Sequence, residues 1–531
     1  MKVTNMLARQ WFYIISVVSV VLILFAQSFW PNAIWLFVIA LPLILVGLWD
    51  VFFSQHTLLR IYPVVGHIRY LLESFRPEIQ QYFIESNLNG RPINREFRDL
   101  VYQRSKGVND TRPFGTQFDV YKVGYQWLSH SMTPFHGKDK NPRVTFGNGN
   151  KPYEASLLNI SAMSFGALSK NAILALNKGA AKGGFYHNTG EGGISRYHRQ
   201  FGADLVWQIG TGYFGCRNDH GDFCATSFAE TAQQDHVKMI EIKLSQGAKP
   251  GHGGLLPAIK LTPEIAEIRK VPLGKDVLSP PAHSSFSTPL EMLDFINKLK
   301  ELSGGKPVGI KLCIGNKREF LALCKAMVST GYHPDFITID GGEGGTGAAP
   351  IEFTNSVGMP LRDALVFVEN ALTGCGYRDK LRLIASGKAL SAFHVMRLLA
   401  LGADTVNSAR AMMLSIGCIQ SRHCNNDKCP TGIATQDASR YNALDFEVKG
   451  ERVFKFHDAM IKNLSELAGA AGLEKVSDIQ PHHINTRVSE NVIEHLGQRY
   501  NYIAANVLLN EETIPAAWRY DWNTVSESKW Q

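Results

Sequence analysis

From Trp11 to Trp49 the chain carries no charged residue, and Pro31-Asn32 divides this stretch into two apolar pieces. Each piece is near the ~20 residues a helix needs to cross a bilayer. Trp11, Tyr13, Trp30 and Trp49 stand at the ends of the pieces, where amphipathic rings prefer the head-group layer. Lys2 and Arg9 precede the pair, Arg60 and Arg69 follow it, and the connecting turn is uncharged. Because basic flanks stay on the cytoplasmic side, both ends are expected to face the cytoplasm. A signal peptide fits less well: the apolar run is long, a second run follows it, and no small-residue cleavage site is evident. The expectation is a two-span hairpin over 1–53 in the inner (cytoplasmic) membrane. Beyond it, residues 54–110 place aromatic and charged residues at helical spacing, as in His67-Ile-Arg-Tyr-Leu-Leu-Glu-Ser-Phe75. These predict helices that link the membrane to the catalytic part, within a linker region over 54–150.

From about residue 155 the pattern becomes a rhythm of short β-branched runs, helical patterns and glycine-rich junctions. The runs are Leu157–Met163, Asp204–Ile209, Lys238–Leu244, Val308–Ile314, Asp335–Asp340, Leu381–Ala385 and Asp404–Asn407, with an eighth near Phe185–His187. Helical patterns over 170–183, 262–270, 317–330, 360–373 and 390–401 follow several of them. Such alternation predicts a parallel sheet, open or closed, in an α/β fold, and eight strands favour closure into the TIM (β/α)8 barrel. Polar and glycine-rich residues gather just after each run, at the face where barrel sites form. Leu390, Phe393, Met396, Leu398 and Leu399 read as core residues of the 390–401 helix. The barrel is placed at 151–475, with a C-terminal extension over 476–531.

Composition narrows the function. Of 531 residues 45% are hydrophobic and 47 are glycine, which is globular and not disordered. A net charge of +8 is mild for this length. With no dense Lys/Arg run and no nucleic-acid-binding signature, it argues against a nucleic-acid partner and fits anionic substrates and lipid head groups. All eight cysteines lie in the second half, and three bunch at Cys418, Cys424 and Cys429. That is unlike a secreted disulfide framework and points to a cluster or metal site in a reducing compartment.

Three motifs carry chemistry. Cys418-x5-Cys424-x4-Cys429-Pro430 offers three thiolates at short spacing, and Cys-Pro endings recur in iron–sulfur loops. Zinc usually takes four ligands, and here no CxxC pair is present, although His423 stands nearby. Ala385-Ser-Gly-Lys388 follows the Leu381–Ala385 run and Asn407-Ser-Ala-Arg410 the Asp404–Asn407 run, the last two in chain order. In many barrels these two loops hold a phosphate, and Arg410 adds a charged donor. Gln246-Gly-Ala-Lys-Pro-Gly251 follows the Lys238–Leu244 run. Its glycines let backbone approach a ligand closely, and Lys249 is either a surface lysine or a partner for an anionic substrate. Gly342-Glu-Gly-Gly-Thr-Gly347 matches GxGxxG after a strand, but Pro350 interrupts the helix a dinucleotide fold requires.

Taken together, the residues over about 155–440 resemble the FMN-binding synthase domain of the glutamate synthase family. The resemblance rests on Ser161-Ala-Met-Ser-Phe-Gly-Ala-Leu-Ser169, Asn188-Thr-Gly-Glu-Gly-Gly193, the lysine loop, Ser279-Pro-Pro281, Gly344-Gly-Thr-Gly-Ala348 and Cys429-Pro-Thr-Gly-Ile-Ala-Thr-Gln-Asp437. It implies FMN, a 3Fe-4S cluster, and reductive amination of 2-oxoglutarate or a related 2-oxo acid by ammonia or an amine. It implies that Cys418, Cys424 and Cys429 hold the cluster, and that Met163 and Ser164 lie beside flavin and substrate. Gln208 and Lys311 would contact the flavin, and Gly387, Lys388, Ser408 and Arg410 its phosphate. Glu191, Gln246, Lys249 and Arg269 would form the substrate and imine pocket. Departures from the family pattern at His252, Leu255 and Lys388 bear on the substrate more than on the cofactors. The chain is expected to lack the glutaminase and pyridine-nucleotide domains, so that ammonia and electrons come from an external source such as ferredoxin or a reductase subunit. Rival readings are an N-substituted glutamate synthase of the methylamine type and a non-catalytic membrane electron relay.

Overall fold

The computed structural model describes residues 7–530, so Lys2 of the expected basic flank and the C-terminal Gln531 lie outside the described residues. The chain forms two compact units, 1–91 and 92–531.

In the first unit, Ala8–Gln27 is one helix, and a 3-10 turn over Pro31–Leu36 leads into a second helix, Phe37–Phe52. The break falls at the proline, which has no N–H to extend a helix through it. Both segments are long and apolar enough to cross a membrane: Ala8–Gln27 spans 20 residues with mean hydropathy 1.9, and Pro31–Phe52 spans 22 with mean hydropathy 2.4. Thr57–Ile61 and Gly66–Ile79 follow as helices, and a π-helical turn covers Gln80–Ile84.

The second unit is built on a closed barrel of eight parallel strands. They are β1 (Leu158–Ile160), β2 (His187–Asn188), β3 (Leu205–Ile209), β4 (Val237–Lys243), β5 (Val308–Leu312), β6 (Phe336–Asp340), β7 (Arg382–Ser386) and β8 (Thr405–Ser408). Neighbours follow chain order, and β8 closes on β1 through Val406 opposite Leu158 and Ser408 opposite Ile160. The expected strands are therefore all present, most of them a residue or more shorter than their apolar runs. Helices Lys170–Gly183 and Lys317–Thr330 occupy their expected ranges, and Leu361–Gly374 and Ala392–Ala400 fall within a residue or two of theirs. The fold is the TIM barrel.

Strand alternation sorts the interior by height. Val206, Met239, Phe336 and Ile384 form an apolar layer with Tyr186, and this layer packs on Phe146, Tyr153 and Ala155. Those last three belong to an antiparallel hairpin, Arg143–Phe146 with Tyr153–Ser156, which plugs the barrel at the strands' N-terminal end. Two residues further along the strands the interior turns polar, with Gln208, Glu241 and Thr338 all buried. The carboxylate of Glu241 accepts from Asn188 Nδ2 at 2.8 Å, Gln208 Nε2 at 2.6 Å and Thr338 Oγ1 at 2.7 Å. A buried charge needs such donors to offset its lost hydration, so Glu241 ties β2, β3 and β6 to β4. The long helix Phe446–Ala470 packs against Lys170–Gly183. The 476–530 segment returns to pair Ile484–Arg487 with Gln126–Leu128.

Candidate active site

At the C-terminal ends of the strands lies a cavity of about 540 Å³. This is a size typical of cofactor and small-molecule sites. Its wall collects almost every residue that the sequence singles out: Met163, Ser164, Glu191, Gln208, Gln246, Lys249, Arg269, Lys311, Gly387, Arg410, Cys418, Cys424 and Cys429. Lys388 and Ser408 are not in that wall. Ser408 lies on β8, where side chains alternate in direction; its neighbour Asn407 accepts from Tyr186 Oη, while the Ser408 hydroxyl donates to the Ala389 carbonyl at 3.2 Å.

One part of the wall is an ion-pair network. Lys243 Nζ, at the end of β4, lies 2.7 Å from Glu191 Oε1 and 3.1 Å from Gln246 Oε1. Burial pushes the Glu191 carboxyl up, but Lys243, and more distantly Arg269 and Lys249, outweigh this and hold it below its ordinary value. Burial lowers the Lys243 ammonium, with Glu191 opposing. On β5, Lys311 Nζ lies 2.9 Å from Asp340 Oδ2, and Gly247 N donates to the same oxygen at 3.0 Å. A Cβ at Gly247 would overlap the Gly341 carbonyl, so this close approach of the lysine loop to the end of β6 requires glycine.

Lys249 is 2% exposed, which removes the surface-lysine alternative. Its ammonium is lowered by burial and by Lys243, with Glu191 opposing. Arg269, from helix Pro263–Arg269, donates Nη2 to the Phe165 carbonyl at 3.2 Å and sits 5.2 Å from the Phe214 ring centroid. Its buried Nε has no hydrogen-bond partner among the described residues, and burial lowers its pKa to about 10. Two desolvated cations therefore face a cavity in which Glu191 and Asp340 already serve Lys243 and Lys311. Such a site favours an anion carrying more than one negative oxygen.

The cysteine loop lines the same cavity. The three thiols line the one cavity, and all eight cysteines are free. Gln420 N donates to Cys418 Sγ at 3.5 Å. Burial raises the Cys429 thiol, but donors from Ala434, Thr431 and Ile433 outweigh it and lower it overall. Among the described residues no three His, Cys, Asp or Glu groups converge as ligands for one metal ion. The loop is held from outside as well. Lys260 Nζ reaches the carbonyls of Ala167 (2.8 Å), Ala434 (3.0 Å) and Cys424 (3.3 Å), while Tyr102 Oη donates to the Cys418 carbonyl at 2.6 Å.

Sequence reasoning did not single out Lys243, Lys260, Asp340 or Glu241 as working groups. For three of them a signal existed: Glu241 and Lys243 sit two apart in an apolar strand, and Asp340 ends another. A charge on the buried face of a barrel strand is uncommon unless partnered. Lys260 lies in a 3-10 turn, Ala258–Lys260, with no pattern to mark it. The Gly342–Gly347 loop runs on irregularly to Pro350, and the helix Ile351–Ser356 begins only after it, so no dinucleotide-binding turn forms there.

A closed parallel barrel with a charged cavity at the strands' C-terminal ends defines a TIM-barrel enzyme scaffold. Residues 145–474 match the family model described as the conserved region in glutamate synthase. The chain is 37% identical over 502 residues to the glutamate synthase large subunit-like protein YerD of Bacillus subtilis (strain 168), covering 86% of this chain and 95% of that one. It is 34% identical over 321 residues to the archaeal-type glutamate synthase (NADPH) of Thermotoga neapolitana, covering 60% of each chain. A glutamate synthase large subunit-like protein of Rhizobium meliloti (strain 1021) is 29% identical over 401 residues, covering 71% of this chain and 86% of that one. The chain belongs to the glutamate synthase family and is a glutamate synthase-like oxidoreductase.

Proposed function

We propose that this protein binds FMN and a 3Fe-4S cluster and reduces the imine formed between a 2-oxo acid, 2-oxoglutarate in the first instance, and ammonia or a small amine. The observation that carries this reading is the single cavity lined by three thiols, the glycine-bearing turn after β7 and the cations Lys243, Lys249, Arg269, Lys311 and Arg410. The residues fit both groups. For the cluster, the three thiols are cysteine-only donors on one cavity, with backbone N–H groups aimed at two of them, a donor set that suits an iron–sulfur core. For the flavin, Met163, Ser164, Gln208 and Lys311 would flank the ring, and the β7 and β8 loops with Arg410 would hold the phosphate. When bound, FMN supplies the hydride and the cluster passes single electrons from an external donor to it.

The chain's own residues bind and orient. Lys249 and Arg269 would pair with the two carboxylates of 2-oxoglutarate. Glu191, kept ionised by Lys243, would accept hydrogen bonds from the incoming amine and the protonated imine nitrogen. Charges held in fixed positions stabilise a developing charge without reorganising at the moment of reaction, often the largest catalytic contribution. The hairpin would anchor this unit in the cytoplasmic membrane with the catalytic part facing the cytoplasm, as Arg9 before it and Arg60 and Arg69 after it suggest.

The test is anaerobic purification followed by FMN, iron and sulfide analysis, and then single-turnover reoxidation of the reduced protein. 2-Oxoglutarate with ammonia should reoxidise the flavin and yield glutamate, and each alone should not. Reoxidation only with methylamine would favour an N-substituted glutamate synthase. Retention of both cofactors with no response to any pairing of 2-oxo acid and amine would favour the electron relay.

A further inference from the structure

Between the second apolar helix and the barrel unit the chain forms Gly66–Ile79, extended by the π-helical turn Gln80–Ile84. Most of its large apolar side chains share one face, with Leu71 and Tyr82 at the border of that face and Tyr70 and Ile84 away from it. Ile68, Leu72, Phe75, Ile79 and Phe83 recur at three- and four-residue spacing, which puts them on one side of a helix. They are 55%, 57%, 54%, 38% and 84% exposed. A stripe of large apolar side chains left open at this level is uncommon on a surface that meets only water. Glu73, Ser74 and Pro77 stand on the far side. Arg69 and Arg76 fall along one border of the stripe; Arg69 pairs with Glu73 at 3.1 Å, and both arginines are exposed.

The start of this helix is tied to the end of the apolar pair. Asp50, in the last turn of Phe37–Phe52, is buried. Its carboxylate accepts from Val64 N at 2.9 Å and faces His67 Nε2 at 2.8 Å. Val64 takes a left-handed backbone conformation, φ 62°, unusual for a β-branched residue, which turns the chain sharply just before the helix begins. The first turn of the amphipathic helix is thus pinned beside the last turn of the second apolar helix.

We propose that Gly66–Ile84 is an in-plane membrane element, its apolar stripe in the boundary between head groups and acyl chains and its arginines among anionic head groups. The inference rests on the reading of 8–52 as a membrane-spanning hairpin. That reading puts Asp50 at the bilayer boundary, and therefore the helix that its contacts anchor. An apolar stripe bordered by arginines is the pattern of helices that lie in this layer. Long basic side chains there extend their charged ends toward water and phosphate while their stems cover apolar surface. The occupant of the stripe is lipid, and not a second copy of the chain or another protein.

The experiment is photocrosslinking of the full chain reconstituted in phosphatidylcholine–phosphatidylglycerol vesicles. p-Benzoylphenylalanine is placed at Phe75, Ile79, Ser74 or, as a reference within the first apolar helix, Leu22. Lipid adducts are expected at 75 and 79 and their loss at 74, read by mass spectrometry of the intact protein. Protein–protein adducts at 75 and 79 without lipid, or equal labelling of 74 and 75, would overturn the inference. Leu22 separates the two claims: lipid at 22 but not at 75 sinks the in-plane helix alone, and no lipid at 22 sinks the hairpin on which it rests.

Discussion

Lys249 shows how much of a residue's role depends on its neighbours. In the sequence it is one lysine among glycines, and without the context of the neighbouring motifs a solvated surface position is the better reading. The fold decides by burying it beside Lys243, which already belongs to Glu191 and Gln246. An ammonium held near another and out of water gives up its proton more readily, which is why it is lowered. Lys249→Ala should keep FMN and the cluster and lose about 100- to 1000-fold in the rate of flavin reoxidation by 2-oxo acid and amine, the usual effect of removing one fixed donor. Lys249→Arg should rescue only in part, because a planar guanidinium does not replace a compact ammonium. The sign of the pH dependence follows from the same shift. The ammonium is the binding form, so activity should fall as pH rises through the lowered pKa, earlier than an ordinary lysine near ~10.4 would allow. A pH profile of single-turnover rates checks this, and Lys249→Ala should flatten that limb; wild-type rates in Lys249→Ala would remove the residue from the mechanism.

At the scale of elements, what was legible in the sequence was whatever had a period. The strand runs, the helices Lys170–Gly183 and Lys317–Thr330 and the apolar pair all repeat with the spacing of their structure. The elements that shape the site's outer wall have no such signal. Gln420 is a non-glycine residue in the left-handed region, φ 59°, which sequence alone does not announce. Its side-chain amide accepts from Ile93 N at 3.1 Å and donates to the Ile93 carbonyl at 3.1 Å, so one residue of a segment some 300 positions earlier is paired as a strand neighbour would be. With Tyr102 on Arg95–Lys106 bonded to the Cys418 carbonyl, this pre-barrel segment clamps the first thiol's loop. Ile93 and Tyr102 both precede the family-matched region 145–474, and motif reading over that region does not reach them. Gln420→Ala removes both bonds and leaves a strained backbone, at a cost of about 1–3 kcal/mol in local stability. It should lower iron and sulfide retention on anaerobic gel filtration while FMN stays bound. Gln420→Glu should be as harmful, since it keeps the acceptor but sets a carboxylate against the Ile93 carbonyl. Unchanged iron content in both variants would show that the loop does not depend on the clamp.

For the molecule as a whole, stability should depend on pH through buried histidines more than through surface ion pairs. His198, His283 and His457 are 0%, 7% and 4% exposed, and burial lowers them to about 3, about 4 and about 3 respectively. Each has a partner suited to a neutral ring: Ser195 for His198, Tyr213 and the Lys243 carbonyl for His283, and Ser156 with the Leu158 carbonyl for His457. His457 also stacks on Phe185 at 3.8 Å between centroids, which joins the long helix Phe446–Ala470 to the strand side of the barrel. In the unfolded chain these rings protonate near ~6.5. Their folded values are depressed, so below ~6.5 the unfolded state binds protons that the folded state refuses, and each site removes about 1.4 kcal/mol per pH unit until its folded pKa is reached. Stability from these sites is thus complete above ~6.5 and falls as pH drops toward ~4. The melting temperature of the detergent-solubilised protein should be flat above that window and decline steeply within it. His457→Phe removes one protonation site while keeping a ring to stack on Phe185, so its decline with acid should be shallower than wild type, even though the lost Ser156 and Leu158 contacts lower its stability at neutral pH. A parallel decline in variant and wild type would mean that His457 is already protonated in the folded state.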